Sequence, residues 1–196
     1  MFAARTQGTK DAPLFLTFHG TGGNEAQFHG FAKELLPMAH VTSPRGEVSE
    51  GGALRYFRRT GEGRYDMADL AARTSAMGEF IAAEQATTGA TRVIGLGYSN
   101  GANILASVSF QRADILTDLI LLHPLIPFDP APQPGLAGKR ILITAGQRDP
   151  ICPAPQTQKL ADYYESQGAD VTLHWHPGGH DIATPEIGAI RTFLTT

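Results

Sequence analysis

Cysteine is almost missing from this chain: Cys152 is the single one in 196 residues. That excludes an internal disulfide framework and a cysteine zinc cluster, and it is the usage expected of a reduced, cytoplasmic compartment. Long apolar runs are also absent. The longest lies around Leu119 to Ile126, far short of the about 20 residues a membrane-spanning helix needs, so no membrane span is expected. Met1 to Gly8 shows neither the apolar core nor the cleavage pattern of a secretory signal. Charge is sparse, at 18% of residues with a net value of -3. No basic run interleaves with aromatics, which argues against a nucleic-acid partner. The densest basic patch carries Arg55, Arg58, Arg59 and Arg64 with Glu62 among them, the composition of a solvated or locally paired loop.

What the chain does have is apolar residues (42%), 22 glycines and 13 prolines, enough for one substantial core, read as one domain over 1–196. Short, largely apolar runs recur at Leu14–Phe18, Ala39–Ser43, Arg92–Leu96, Leu119–Leu122, Arg140–Gly146 and Val171–Trp175. Such runs suit strands buried on both faces of a parallel sheet. Between them, helical spacing predicts helices over Glu25–Leu36 with Asn24 as N-cap, from Asp66 to about Thr88, from Ala102 to near Arg112, over Pro155–Gln167 and over Pro185–Leu194. The fold expected is α/β, a three-layer α/β/α sandwich around a mostly parallel sheet. Glu47 to Tyr65 has no clear period and reads as the longest loop, a candidate wall of a substrate site. The Pro-rich stretch Leu125 to Lys139 is too short for a lid domain, so a site at the sheet's edge would stand open to water.

The chemistry concentrates on the loops that leave the strands. Gly97-Tyr98-Ser99-Asn100-Gly101 sits between a strand and a helix. There a serine needs small neighbours on a tight turn, and the helix start aims free N–H groups at developing negative charge. Alone, this pattern also suits an ordinary strand-to-helix turn. His19-Gly20-Thr21-Gly22-Gly23 follows the first buried strand, where the backbone N–H of Thr21 is the candidate first oxyanion donor and that of Asn100 the second. The lack of a lysine and of G-x-G-x-x-G spacing argues against a phosphate-binding role. Asp149 leaves the carboxyl end of one later strand and His180 the end of the last. The order Ser99, Asp149, His180 therefore supplies a nucleophile, an orienting acid and a base in the order of an α/β-hydrolase triad.

Other candidates carry weaker readings. Asp181 adjoins His180 and points elsewhere. His174 and His176 have no carboxylate spaced to complete a metal site, so no metal and no cofactor is expected. His19 shapes the oxyanion loop, His29, His40 and His123 are structural, and Cys152 is a buried inert thiol. Phe57, Leu125, Ile126, Phe128 and Ile151 are candidate walls for an acyl or alcohol group, with packing in the core as the alternative for the aromatics and for the 125–128 segment.

His19-Gly20-Thr21-Gly22-Gly23, Gly97 to Asn103, Leu122-His123-Pro124-Leu125-Ile126-Pro127-Phe128 and Gly178-Gly179-His180 together resemble the bacterial carboxylesterase/phospholipase family of α/β-hydrolases nearly end to end. The likeness is to its short, lidless branch, related to acyl-protein thioesterases and to esterases associated with hydroquinone resistance. The resemblance implies Ser99, Asp149 and His180 as triad and Thr21 with Asn100 as oxyanion donors. Acyl-protein thioesterases usually carry Gln after the nucleophile and a longer acyl-binding loop. Asn100 and the compact chain favour short acyl esters, so the partner expected is a small-molecule ester. A thioesterase or lysophospholipase is the neighbouring reading, and a non-catalytic binder of quinone-like aromatics is the reading from another class. Monomer and homodimer are equally compatible with the sequence.

Overall fold

The structure, a computed structural model, describes residues 1–196. In chain order the elements are β1 (Ala3–Thr6), β2 (Leu14–Phe18), α1 (His29–Leu35), β3 (His40–Pro44), β4 (Val48–Glu50), β5 (Ala53–Arg55), β6 (Arg59–Gly61), β7 (Arg64–Tyr65), α2 (Met67–Thr88), β8 (Val93–Tyr98), α3 (Asn100–Gln111), β9 (Asp118–Leu122), β10 (Arg140–Gly146), α4 (Ala154–Ser166), β11 (Asp170–His176) and α5 (Thr184–Thr195). Seven strands form one sheet in the order β1-β3-β2-β8-β9-β10-β11. Every neighbouring pair is parallel except the edge pair β1 and β3.

Alternation along the strands divides the apolar side chains between two faces. On one face Leu14, Leu16 and Phe18 pack with Met77 and Ile81 of α2, Leu105 of α3, and Leu160 and Tyr164 of α4. On the other, Phe15, Ile94, Leu96, Ile120 and Leu142 meet Ala32 of α1 and Ile190 and Phe193 of α5. The result is the three-layer sandwich expected from the largely apolar runs. Between β9 and β10 the only regular structure is a short 3-10 turn at Pro134–Leu136, so no lid covers the sheet's edge. No helix is long and apolar enough to cross a membrane.

Register sets up the site. Pairing of Phe18 with Gly97 and of Tyr98 with Leu122 makes the loops after β2, β8 and β9 leave the sheet side by side. Pairing of Gly146 with His176 does the same for the loops after β10 and β11. All five open on the carboxyl-end rim, where ligand sites of open α/β sheets gather.

The structure corrects three expectations about local structure. The first helix begins at His29, not at Glu25. Asn24 spends its side chain in a local turn, where Oδ1 accepts from Ala26 N at 2.9 Å, and Gln27 Oε1 accepts from Gly20 N at 2.9 Å; the segment is held to the glycine-rich loop instead of winding into helix. Residues 47–65 are not a structureless loop but two antiparallel hairpins, β4 with β5 and β6 with β7. Strands of two or three residues are too short to show a period of two. β1 was not expected at all; it is a four-residue edge strand of mixed burial. The long helix is as read: Asp66 Oδ1 accepts from Asp69 N at 3.0 Å, and Gly89 ends it in the left-handed conformation at φ +68°.

Candidate active site

Ser99 joins β8 to α3 at φ 51° and ψ -115°, a backbone conformation that costs an L residue roughly 1–3 kcal/mol. Two glycines make it attainable. A Cβ on Gly97 would stand 2.6 Å from the carbonyl carbon of Gly101, and one on Gly101 2.7 Å from that of Phe18, distances at which no side chain fits. The Ser99 amide is held in turn by the Leu122 carbonyl at 2.9 Å. The hydroxyl is thereby lifted into the cleft above the strand ends.

The residues read from the sequence come together there. His180 Nε2 lies 2.9 Å from Ser99 Oγ, and His180 Nδ1 lies 2.7 Å from Asp149 Oδ2. With Nδ1–H donated to the carboxylate, Nε2 is left as acceptor for the serine proton, the tautomer that base catalysis requires. Backbone ties fix both loops. Arg148 N donates to Gly178 O at 2.9 Å, Gln147 N to His176 O at 2.8 Å, and Tyr98 Oη to the carbonyl of His180 itself at 2.9 Å.

Asp149 is buried and saturated with donors. Oδ1 accepts from the amides of Ile151 at 2.8 Å and Cys152 at 2.9 Å. Burial pushes its carboxyl up, but those amides together with His123 and His180 outweigh it and hold the group below the usual carboxylate range. It stays ionised beside the His180 ring.

In the glycine-rich loop, Gly20 N is taken by Gln27 Oε1, Gly22 N by Leu54 O and Gly23 N by Gly20 O. The Thr21 N–H is left without a partner, and Thr21 lines the cleft that also holds Ser99. Asn100, the first residue of α3, presents an N–H from the unpaired first turn of the helix. Its side chain is used elsewhere, Oδ1 accepting from Tyr56 N at 2.7 Å. His19 shapes this loop, as expected. Its Nδ1 donates to Gly20 O at 2.8 Å, Nε2 accepts from Gly46 N at 2.9 Å, and burial lowers the ring's affinity for a second proton.

The cleft has a volume of about 730 Å³ and is bounded by Thr21, Tyr98, Leu125, Ile151 and Cys152 on the sheet side and by Arg55, Arg59 and Tyr65 from the hairpins. Leu125 and Ile151 are therefore where the sequence placed them. Ile126 and Phe128 are not. They line a separate hollow of about 210 Å³ against Lys159 and Tyr163, because the chain turns away after Leu125. Phe57 is also absent from the wall; it is fully buried, edge-on to Tyr65 with centroids 4.7 Å apart, and packs under the hairpins as core. Cys152 is buried, its Sγ 3.2 Å from the His123 carbonyl, and burial pushes the thiol up. Asp181 is exposed.

Two residues of this neighbourhood escaped the sequence reading in their roles. His123, expected to be merely structural, reaches Asp149 Oδ2 with Nδ1 at 3.0 Å and Glu186 Oε1 with Nε2 at 3.0 Å. Glu186, fully buried, also accepts from Thr144 Oγ1 at 2.5 Å and from Ala183 N. The Leu-His-Pro sequence after β9 was the available signal for the first; nothing short-range marks the second. Two trios, His123 with Asp149 and His180, and His123 with His176 and Glu186, bring donor atoms within 4.8 Å of one another. In both, the His123 nitrogens are already engaged by carboxylate oxygens.

A serine hydroxyl backed by an imidazole and a carboxylate, with free amides beside it, is able to attack and stabilise an acyl carbonyl. Comparisons with known proteins point to the same class. The family model described as the dienelactone hydrolase family matches residues 61–186. MhqD of Bacillus subtilis (strain 168), named as a hydrolase, is 41% identical over 187 residues, 94% of this chain and 93% of that protein. Among solved structures, the protein Atu2452 of Agrobacterium tumefaciens str. C58, described as of unknown function, superposes with a TM-score of 0.93 at 50% identity, covering 98% of this chain and 94% of that one. The Bacillus cereus carboxylesterase superposes with a TM-score of 0.91 at 36% identity, covering 98% and 92%. The resemblance extends over 94% of the chain in sequence and 98% in structure, and the protein is a hydrolase that belongs to the dienelactone hydrolase family, within the α/β-hydrolase superfamily.

Proposed function

We propose that the protein is a serine carboxylesterase that cleaves short-chain acyl esters of small molecules through an acyl-enzyme on Ser99. The observation that carries this reading is the chain of contacts from Ser99 Oγ to His180 at 2.9 Å and from His180 to Asp149 at 2.7 Å on the floor of an open cleft. His180 takes the serine proton as Oγ attacks the ester carbonyl, and Asp149 steadies the imidazolium that forms. The N–H groups of Thr21 and Asn100 hold the oxyanion, each such donor being worth ~3 kcal/mol of barrier. His180 then returns its proton to the leaving alcohol. Water, activated by the same ring, releases the acid.

Short esters are favoured because the cleft has no lid, mixes charged with apolar walls and offers Leu125 and Ile151 as its limited apolar side. The carboxylesterase of Bacillus cereus among its relatives supports the same class. One domain over 1–196 and a cytoplasmic location complete the reading, the second from the near absence of cysteine.

The test is intact mass after brief exposure to a fluorophosphonate probe, with Ser99→Ala and His180→Ala alongside. One adduct on the wild type alone is the expected result. A folded wild-type protein that takes no label overturns the reading and favours a binder of quinone-like aromatics. Where labelling succeeds, matched oxygen, thio and lysophospholipid esters separate an esterase from a thioesterase or lysophospholipase.

A further inference from the structure

His123 stands at φ +50° and is fully buried. It is not glycine, so this turn holds it in a sparsely populated conformation. The turn swings the ring off the end of β9 and between two acids, Nδ1 at 3.0 Å from Asp149 Oδ2 and Nε2 at 3.0 Å from Glu186 Oε1. A neutral imidazole has one N–H and one lone pair. Whichever nitrogen held the single proton, the other would aim its lone pair at a carboxylate oxygen, among side chains that are closed to solvent. The arrangement is satisfied only with one more proton.

We infer that His123 is a standing imidazolium bridging Asp149 and Glu186, and that it is a positioning residue for the reaction at Ser99. The inference rests on the reading of Ser99, His180 and Asp149 given above. Oδ2 of Asp149 accepts from both rings, His180 at 2.7 Å and His123 at 3.0 Å, and the ring centroids are 5.2 Å apart. The bridge pins the orienting carboxylate from behind. It also places a positive charge, balanced by Glu186, within reach of the ring that must become positive during catalysis.

The surrounding groups leave that balance intact. Tyr98, at the end of β8, is pushed up to about 12 by burial, and Cys152, ahead of α4, is raised by burial as well. Both stay neutral. His176, at the end of β11, accepts from Gly178 N at Nδ1, and its Nε2 lies 3.3 Å from Glu186 Oε2 without a hydrogen bond to it. Asp181 adjoins His180 but is exposed. Burial alone would strip the His123 proton, yet the hydrogen bonds to Glu186 and Asp149 outweigh it and raise the ring above the ordinary imidazole value.

Two measurements test this. The first needs no variant: imidazole nitrogen–proton correlation spectra of the wild-type protein, from about pH 5 to about pH 9. Protons on both His123 nitrogens throughout are expected. A His123 ring with one bare nitrogen at neutral pH overturns the inference, whether or not Ser99 takes a fluorophosphonate, so its failure is distinct from that of the proposed activity. The second is the pH profile of kcat/KM for two variants that remove opposite charges. His123→Gln leaves Glu186 uncompensated and should move the acid limb up by about one pH unit; Glu186→Gln leaves His123 uncompensated and should move it down by a similar amount. Two variants that lose activity with no displacement of the limb, or that move it the same way, mean a structural role only.

Discussion

Arg55 Nη1 donates to Thr21 Oγ1 at 2.9 Å, tying the second strand of the β4–β5 hairpin to the loop that holds the unpartnered Thr21 amide. The neighbouring bond from Gly22 N to Leu54 O, 3.0 Å, repeats the tie through the backbone. The glycine-rich loop is thus braced by the hairpins across the cleft and not by the sheet alone.

Replacing Arg55 by Gln is expected to lower kcat/KM for p-nitrophenyl acetate by about tenfold, a loss of ~1.4 kcal/mol of transition-state stabilisation. Steady-state kinetics check it, with the fluorophosphonate labelling rate falling in proportion. Unchanged kinetics would mean that the Gly22 tie suffices.

Ser99→Gly should abolish labelling and yet stabilise the fold. Glycine enters φ 51° and ψ -115° without the penalty that serine carries, while its greater freedom in the unfolded chain takes back part of the gain. A net gain of ~1 kcal/mol corresponds to a Tm roughly 2–4 °C higher for a chain of this size. Calorimetry checks it, and a lower Tm would show that the serine conformation is not strained.

Tyr65→Phe removes the hydroxyl that donates to Leu125 O at 2.5 Å and accepts from Asn103 Nδ2 at 2.8 Å. Two polar groups lose their partner where water has little access. The expected cost is ~1–3 kcal/mol, read as a lower urea midpoint with an unchanged slope.

Stability should fall on both sides of neutrality. Burial raises Asp149 and Glu186, but their hydrogen bonds outweigh it and leave both depressed in the folded state. Their contribution is full above the ordinary carboxylate values near about pH 4 and is lost as pH falls through the folded values. His19, lowered chiefly by burial, acts with the same sign: its contribution is full above about pH 6.5 and is lost as pH falls through the folded value. His123 is raised, so its contribution is full below about pH 6.5 and is lost as pH rises through its folded value. Urea midpoints measured across pH check this; a midpoint that kept rising toward acid would contradict it.

Much of this was legible in the sequence because the signals were local. The largely apolar runs at Leu14–Phe18 and Arg140–Gly146 marked buried strands, and Ser99, Asp149 and His180 each stood on a loop just past such a run. What escaped was what depends on contacts far apart in the chain. Glu186 reads as an ordinary first-turn acid of α5, and only the fold carries it 63 positions back to His123. Phe57 and Phe128 have the composition of a pocket wall, but Phe57 is placed by strands of two and three residues that carry no periodic mark, and Phe128 by the turn of the chain after Leu125. Asn24 had the chemistry of a helix cap and used it in a turn.

The cleft divides its labour between parts of very different depth. Its floor belongs to five loops locked by strand register, whereas its outer wall consists of two small hairpins whose turns expose Gly51 and Gly52 in one and Glu62 in the other. Insertions and deletions are tolerated at such turns. A lineage carrying this scaffold is therefore free to reshape its choice of ester by editing the rim, one turn at a time, and never has to reinvent the bend that holds its serine.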